Sequence, residues 1–188
     1  MALIRIIILV SLPLLEFNAA GSVEELEQLI STKGQIVYKD DFERSKRDDS
    51  KEQPDRGWVT NSENRAAGIK QEDLQDGYLR ITMAPHANHG VSARHDAPLD
   101  DGVVQVKFRI RDSKGIEFNF NDPNCKVSHA GHICHVGVKP KQEDLRDGKA
   151  GIFDFKIREK RLAGASKEEI NALNRDRFAY RDFDVELG

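Results

Sequence analysis

Residues 102–122 read Gly-Val-Val-Gln-Val-Lys-Phe-Arg-Ile-Arg-Asp-Ser-Lys-Gly-Ile-Glu-Phe-Asn-Phe-Asn-Asp. Val104, Val106, Phe108 and Ile110 alternate with Gln105, Lys107, Arg109 and Arg111. After Ser113-Lys114-Gly115, Ile116, Phe118 and Phe120 alternate with Glu117, Asn119 and Asn121. Successive side chains of a strand point to opposite faces, so period-two alternation marks a strand with one face in a core. Two such runs around a glycine-containing turn predict a β-hairpin. One apolar and one polar face predict an antiparallel sheet.

Working outward, the same pattern predicts further strands. Gln35–Tyr38 is a short β run, and Tyr78–Met83 places Leu79, Ile81 and Met83 on one side. Ile133–Lys139 places Cys134, Val136 and Val138 together. Phe153, Phe155 and Ile157 alternate with Asp154, Lys156 and Arg158, and Phe183, Val185 and Leu187 mark a last strand. The charged stretch from Glu43 to Arg56, with Pro54, is a loop. Asn121-Asp122-Pro123-Asn124 is turn chemistry. Two helices carry the S-x-x-E capping box: Ser22 with Glu25, in a segment stopped by Gly34, and Ser166 with Glu169, running to Asn174. Many short strands with turn signals predict a mainly β fold, an antiparallel β-sandwich or jelly roll with short helices. The chain stops at Gly188 as a strand ends. A closed sandwich would continue, so the reading is a truncated chain or an open sheet edge.

The N-terminus predicts export. Arg5 supplies a positive region, Ile6–Leu15 an apolar run, and Ala19-Ala20-Gly21 a small-residue cleavage site. The run is shorter than the roughly 20 apolar residues that cross a bilayer. The expected organisation is a signal peptide over 1–21, a helical leader over 22–34 and a β-sandwich domain over 35–188. The expected location is secreted or periplasmic, with no stable membrane span after cleavage. Cys125 and Cys134, the two cysteines of the chain, are bridged or are free buried thiols; an oxidising compartment permits either. The 29 basic and 32 acidic residues nearly cancel, to a net charge of −3. Neither sign forms a long block, so no footprint for nucleic acid is expected.

Several pieces together resemble a known family. They are Asp40-Asp41-Phe42-Glu43-Arg44, Gly57-Trp58 and Asp76-Gly77-Tyr78-Leu79. Ala97 to Val104 follows, then Phe108, Gly115 to Asp122, and Gly131-His132-Ile133-Cys134-His135-Val136. In this order the chain is similar to the concanavalin A-like lectin/glucanase domains of secreted bacterial proteins, and within them to the 3-keto-disaccharide hydrolase-like group. The resemblance covers roughly residues 36–140 and implies a jelly roll that handles carbohydrate.

For chemistry, Glu117 shares its strand face with Asn119 and Asn121, and the neighbouring run adds Gln105, Lys107 and Arg109. Amides, cations and a carboxylate supply both donors and acceptors to sugar hydroxyls. Glu117 is therefore the candidate catalytic residue, and Gln105, Lys107, Arg109 and Asn119 the candidate carbohydrate-binding residues. The other view of these rows is the ordinary wet side of a sheet. Glycoside hydrolysis uses two carboxyl groups flanking the bond, and Asp182, Asp184 and Glu186 are the nearest approach to a carboxylate row. His129, His132, Cys134 and His135 cannot all converge from one strand, since His132 and Cys134 face one way and His135 the other. Neither a metal nor a cofactor is expected. No nucleophile elbow or nucleotide-binding glycine loop occurs. The expectation is a secreted domain that binds or processes carbohydrate. Its rivals are a hydrolase of 3-keto-disaccharides or related glycosides, and a structural or interaction domain of the cell envelope.

Overall fold

The computed structural model describes Glu25, Gln28 and residues 32–98, 102–111 and 113–182. The expected signal peptide and the strand at Phe183–Leu187 lie outside these residues. Of the expected leader helix, Glu25, Gln28, Thr32 and Lys33 are described, and all are helical. The described residues are mainly antiparallel strands with a few short helices. No helix among them is long and apolar enough to cross a membrane. The chain divides into two compact units, Met1–Arg109 and Ile110–Gly188.

The first unit holds β1 (Val59–Thr60), α1 (Ser62–Arg65), β2 (Glu72–Gln75), β3 (Tyr78–Ile81) and β4 (Ala93–Arg94). β1 pairs with β4, and β2 with β3. The β2–β3 hairpin turns on Asp76-Gly77, both at positive φ (49° and 76°). Paired positive φ is the two-residue turn whose twist matches that of the strands, and Asp-Gly adopts it at low cost. The apolar core is small: Phe42, Leu74 and Leu79, with Trp58 and Ala93 packed against them.

Polar residues do as much of the ordering here. The Asp40 side chain is fully buried. Oδ1 accepts from the Phe42 N–H (2.9 Å) and Arg44 Nη1 (2.6 Å), and Oδ2 accepts from Trp58 Nε1 (2.9 Å) and the Tyr38 hydroxyl (3.0 Å). Glu52 has a similar role. It accepts from Ser62 Oγ (2.6 Å), Thr60 Oγ1 (2.5 Å) and the Gln71 and Glu72 N–H groups (2.6 and 3.0 Å). It thereby ties β1, α1 and β2 together. The expected strand at Gln35–Tyr38 is replaced by an irregular segment with one bridged residue, Ile36. Tyr38 instead contributes its hydroxyl to Asp40. The Glu43–Arg56 stretch is a loop, as composition predicts.

The second unit holds β5 (Ile116–Asn121), β6 (His132–Lys139), β7 (Gln142–Asp147), α2 (Phe155–Leu162), α3 (Lys167–Asn174) and β8 (Phe178–Asp182). The four strands form one antiparallel sheet in the order β5-β6-β7-β8. β5 keeps its predicted alternation: Ile116, Phe118 and Phe120 are half-buried and Glu117, Asn119 and Asn121 exposed.

The expected hairpin is corrected. β5 pairs with β6, and residues 105–110 form no strand. Their exposure still alternates, with Val104, Val106, Phe108 and Ile110 half-buried and Gln105, Lys107 and Arg109 exposed. The period announces which side chains turn inward, but it does not choose the partner strand. The long β6 supplies six register pairs to β5.

The expected strand at Phe153–Ile157 is a helix. Asp154 is its N-cap, accepting from the Lys156 and Ile157 N–H groups at 2.8 and 3.1 Å. An N-cap oxygen satisfies donors that a helix start leaves unpaired. Asp154→Ala should therefore cost about 1 kcal/mol of the second unit's stability. A urea titration followed at 222 nm checks this, and an unchanged midpoint contradicts it. The helix at Lys167–Asn174 has the predicted capping box in full, Ser166 with Glu169.

Candidate functional site

Directly paired residues of an antiparallel ladder share a face. Two rows therefore cross one face of the β5–β8 sheet. One runs Glu117, Gly137, Asp144, Tyr180, and the other Asn119, His135, Arg146, Phe178. The opposite face carries Ile116, Phe118, Phe120, Cys134, Val136, Val138, Leu145 and Ala179. That face is apolar along β5 and β6 and carries Glu143, Asp147 and Arg181 along β7 and β8, while the first face carries acid, base, amide and aromatic groups.

The polar rows are wired together. His135 is buried, and its Nδ1 lies 2.7 Å from Glu117 Oε1. A carboxylate only accepts, so Nδ1 carries the proton in this pair. Arg146 Nη1 lies 3.4 Å from the same Glu117 oxygen, and Arg146 Nε donates to Asp144 Oδ1 at 2.5 Å. Gly137 makes room for this arrangement. A Cβ there would stand 2.8 and 2.9 Å from the Asp144 oxygens and 3.0 Å from Arg146 Nη2. Asp144 is itself buried. Glu117 retains 41% side-chain exposure and Arg146 30%, so these two reach solvent on the polar face. Phe178 and Tyr180 lie beside them on edge strand β8, 46% and 64% exposed, with ring centroids 5.9 Å apart.

A β-bulge changes the histidine reading. The ladder steps from Phe120↔Cys134 to Asn121↔His132, leaving Ile133 as the extra residue. A bulge re-aims the side chains on one side of it. His132 and His135 thus come to one face, with centroids 4.8 Å apart, and both pack on Phe153. Burial first, then neighbouring His135, lowers the affinity of His132 for a proton. His132 Nδ1 and His135 Nε2 are buried without hydrogen-bond partners. Among the described residues, no three His, Cys, Asp or Glu side chains gather as a metal site.

The structure brings two of the five predicted site residues together, Glu117 and Asn119. Gln105, Lys107 and Arg109 belong to the first unit. Asp182 lies on β8 and accepts from Gln142 Nε2 at 2.9 Å; Asp184 and Glu186 lie outside the described residues. Cys125 and Cys134 are free thiols. Sequence reasoning missed His135, Asp144, Arg146, Phe178 and Tyr180. Their signal was present: Gln142, Asp144 and Arg146 alternate after Pro140-Lys141, and Phe178 and Tyr180 alternate before Asp182.

The first unit holds a different carboxyl group of note. Glu72 is 1% exposed and neither of its oxygens has a partner. Burial first, and then the charge of Glu52, pushes its pKa up to about 8. A cavity of about 230 Å³ lies alongside, lined by Lys70, Gln71, Glu72, Asp73, Arg80 and Thr82.

No protein-family model, no curated protein and no solved structure matches this chain.

Proposed function

We propose that this chain is a secreted or periplasmic carbohydrate-binding domain of the concanavalin A-like sandwich type, and that it holds sugar on the polar face of the β5–β8 sheet. One observation carries the reading. Glu117, Asn119 and Arg146 share a sheet face with the exposed rings of Phe178 and Tyr180. Sugars combine hydroxyl groups with apolar ring faces. The carboxylate, amide and guanidinium offer acceptors and donors to the former. The aromatic faces offer contact to the latter.

Binding is favoured over hydrolysis by the surroundings of Glu117. Hydrolysis uses two carboxyl groups with substrate between them. The second carboxylate near Glu117 is Asp144, which is buried, and the Arg146 guanidinium contacts both. The place a glycosidic bond would occupy is taken by a side chain.

The test is a glycan array on the full chain, then calorimetry on wild type, Tyr180→Ala and Glu117→Gln. Tyr180→Ala should weaken binding about three- to tenfold, the loss of a stacking contact of ~0.5–1.5 kcal/mol. Glu117→Gln should weaken it a few-fold only, as for one altered hydrogen bond. A loss of turnover of about a hundredfold or more in Glu117→Gln would establish acid–base catalysis in place of binding. If no glycan binds at millimolar concentration, the reading fails.

A further inference from the structure

A second surface of the same unit has a different character. Helix α2 reads Phe155-Lys-Ile-Arg-Glu-Lys-Arg-Leu162 and contains no buried residue. Lys156, Arg158, Lys160 and Arg161 put four cations into six positions, against one acid, Glu159. Some other cations of the unit are paired: Lys139 and Arg146 with Asp144, Arg177 with Asp147, and Arg181 with Glu143. Those of α2 make no ion pair within 4 Å among the described residues, although Lys160, after the bonds from Ser166, helps to hold the Glu169 carboxyl below its ordinary range.

This arrangement is costly to the helix itself. Lys156 and Lys160 stand at i,i+4, and Arg158 and Arg161 at i,i+3, spacings at which like charges repel. Lys156 also lies in the first turn, where the helix dipole disfavours a cation. Lys160 and Arg161 lie in the last turn, where the dipole favours cations and offsets part of this cost, and no buried side chain adds to the helix. The chain as a whole carries −3, so the patch is a local reversal of sign and not the outcome of a basic composition. An anion lying along α2 would relieve both repulsions at once.

The shape of the patch selects the kind of anion. At about 100° per residue, the two lysines form one row and the two arginines another, on either side of the line through Ile157. Charge therefore extends over more than one side of a short rod. Phe155 and Leu162 share the remaining line, and two side chains make a poor apolar face for lipid. Duplex nucleic acid binds through many phosphate contacts over a broad face, and a chain of net negative charge offers four cations on one short helix. A single flexible polyanionic chain can follow that helix.

We propose that α2 is a binding surface for acidic polysaccharide, sulfated or uronate-bearing, distinct from the sheet face that takes sugar through Glu117 and Tyr180. The test uses the full chain with heparin as the probe. Neutral dextran, phosphatidylserine vesicles and a DNA duplex are the comparison ligands. Heparin should bind at about 50 mM salt, with affinity falling steeply as salt rises. The combined variant K156Q/R158Q/K160Q/R161Q should lose at least about tenfold in heparin affinity while keeping its far-ultraviolet circular dichroism. If that variant does not fold, Lys156→Gln with Lys160→Gln removes one repelling pair and should lower heparin affinity on a helix no less stable. The proposal is overturned if heparin does not bind at low salt. It is also overturned if the variants bind as wild type does, or if vesicles or DNA bind as tightly as heparin. Failure of neutral glycans on the sheet face leaves the heparin result untouched, so the two readings fail separately.

Discussion

Glu72→Met should make the first unit more stable, by several kcal/mol more at pH 9 than at pH 4. The native side chain is 1% exposed, with both carboxyl oxygens unpartnered and Glu52 adding negative charge nearby. Its pKa rises to about 8 from an ordinary 4.5. A carboxyl whose folded pKa is raised binds its proton more tightly in the folded state. Its contribution to stability is fully present below pH 4.5 and is lost as pH rises through about 8. One pKa unit corresponds to about 1.4 kcal/mol, which sets the scale of the loss. Methionine approximates the volume, removes the ionisable group and suits an irregular interior. Trp58 is the single tryptophan of the chain and packs on the first unit's core, so its fluorescence reports unfolding of that unit. Urea titrations at pH 4, 7 and 9 should show wild type weakening with pH and the variant following a flatter course. Parallel pH profiles for the two proteins would rule this out.

Alternation identified the inward side chains of residues 104–110 and of β5, even where it named the wrong partner, but not those of Tyr78–Met83, where Leu79 is buried and Ile81 and Met83 are exposed. Residues 104–110 keep the predicted inward and outward pattern without forming a strand, and β5 keeps it within one. Ladder pairing is a contact between distant residues, and a local period carries no information about it. The Phe153–Ile157 stretch failed for a related reason. Five residues fit a strand or the start of a helix equally well, and length is what separates the two. Asp154 was the available discriminator, as an N-cap residue before a run rich in helix formers. Ser166 and Glu169, read as a capping box, occupy that role in the structure.

The candidate site was legible only in part. Glu117 and Asn119 share a face because β5 is regular. The histidines were set on opposite faces by the same logic, and the bulge at Ile133 reversed it. One inserted residue changes the face of everything on its far side, and nothing in the composition of Gly131–Val136 announces it. Asp144 and Arg146 enter through the β6–β7 pairing, which becomes visible once Pro140-Lys141 is taken as a turn. Asp40, Phe42, Arg44 and Trp58 belong to the stretches on which the expectation of a family rested. In the structure they form the hydrogen-bonded hub and core of the first unit. In this chain those residues serve architecture.

Asp40→Ala should destabilise the first unit by about 3–5 kcal/mol, the range for breaking a buried charged pair by removing one partner. Asp40 is wholly buried and accepts four hydrogen bonds, from the Phe42 N–H, Arg44, Trp58 Nε1 and the Tyr38 hydroxyl. Removing it leaves Arg44 with the Pro54 carbonyl as its remaining hydrogen-bond partner. It also strands the Phe42 N–H and the indole N–H in the interior, each with a desolvation cost. Trp58 would lose the bond that orients it against Phe42, whose ring centroid lies 5.7 Å away. Burial alone would raise the Asp40 carboxyl, but the bonds from Arg44, Phe42, Trp58 and Tyr38 outweigh it and hold the pKa below its ordinary value. Burial and then Asp40 push Tyr38 up to about 12. A depressed carboxyl contributes stability above its unfolded pKa and loses it as pH falls through the folded one. Wild type should therefore weaken on the acid side below about pH 4 through Asp40. Asp40→Ala should start from a lower stability and lose less of it there. Two measurements decide the matter. Urea titration by Trp58 fluorescence at pH 7 should show the large drop, and spectrophotometric titration should bring the Tyr38 phenol down towards 10. A variant within about 1 kcal/mol of wild type would show that water replaces the carboxylate in the hub, and that Asp40 does not hold the unit together.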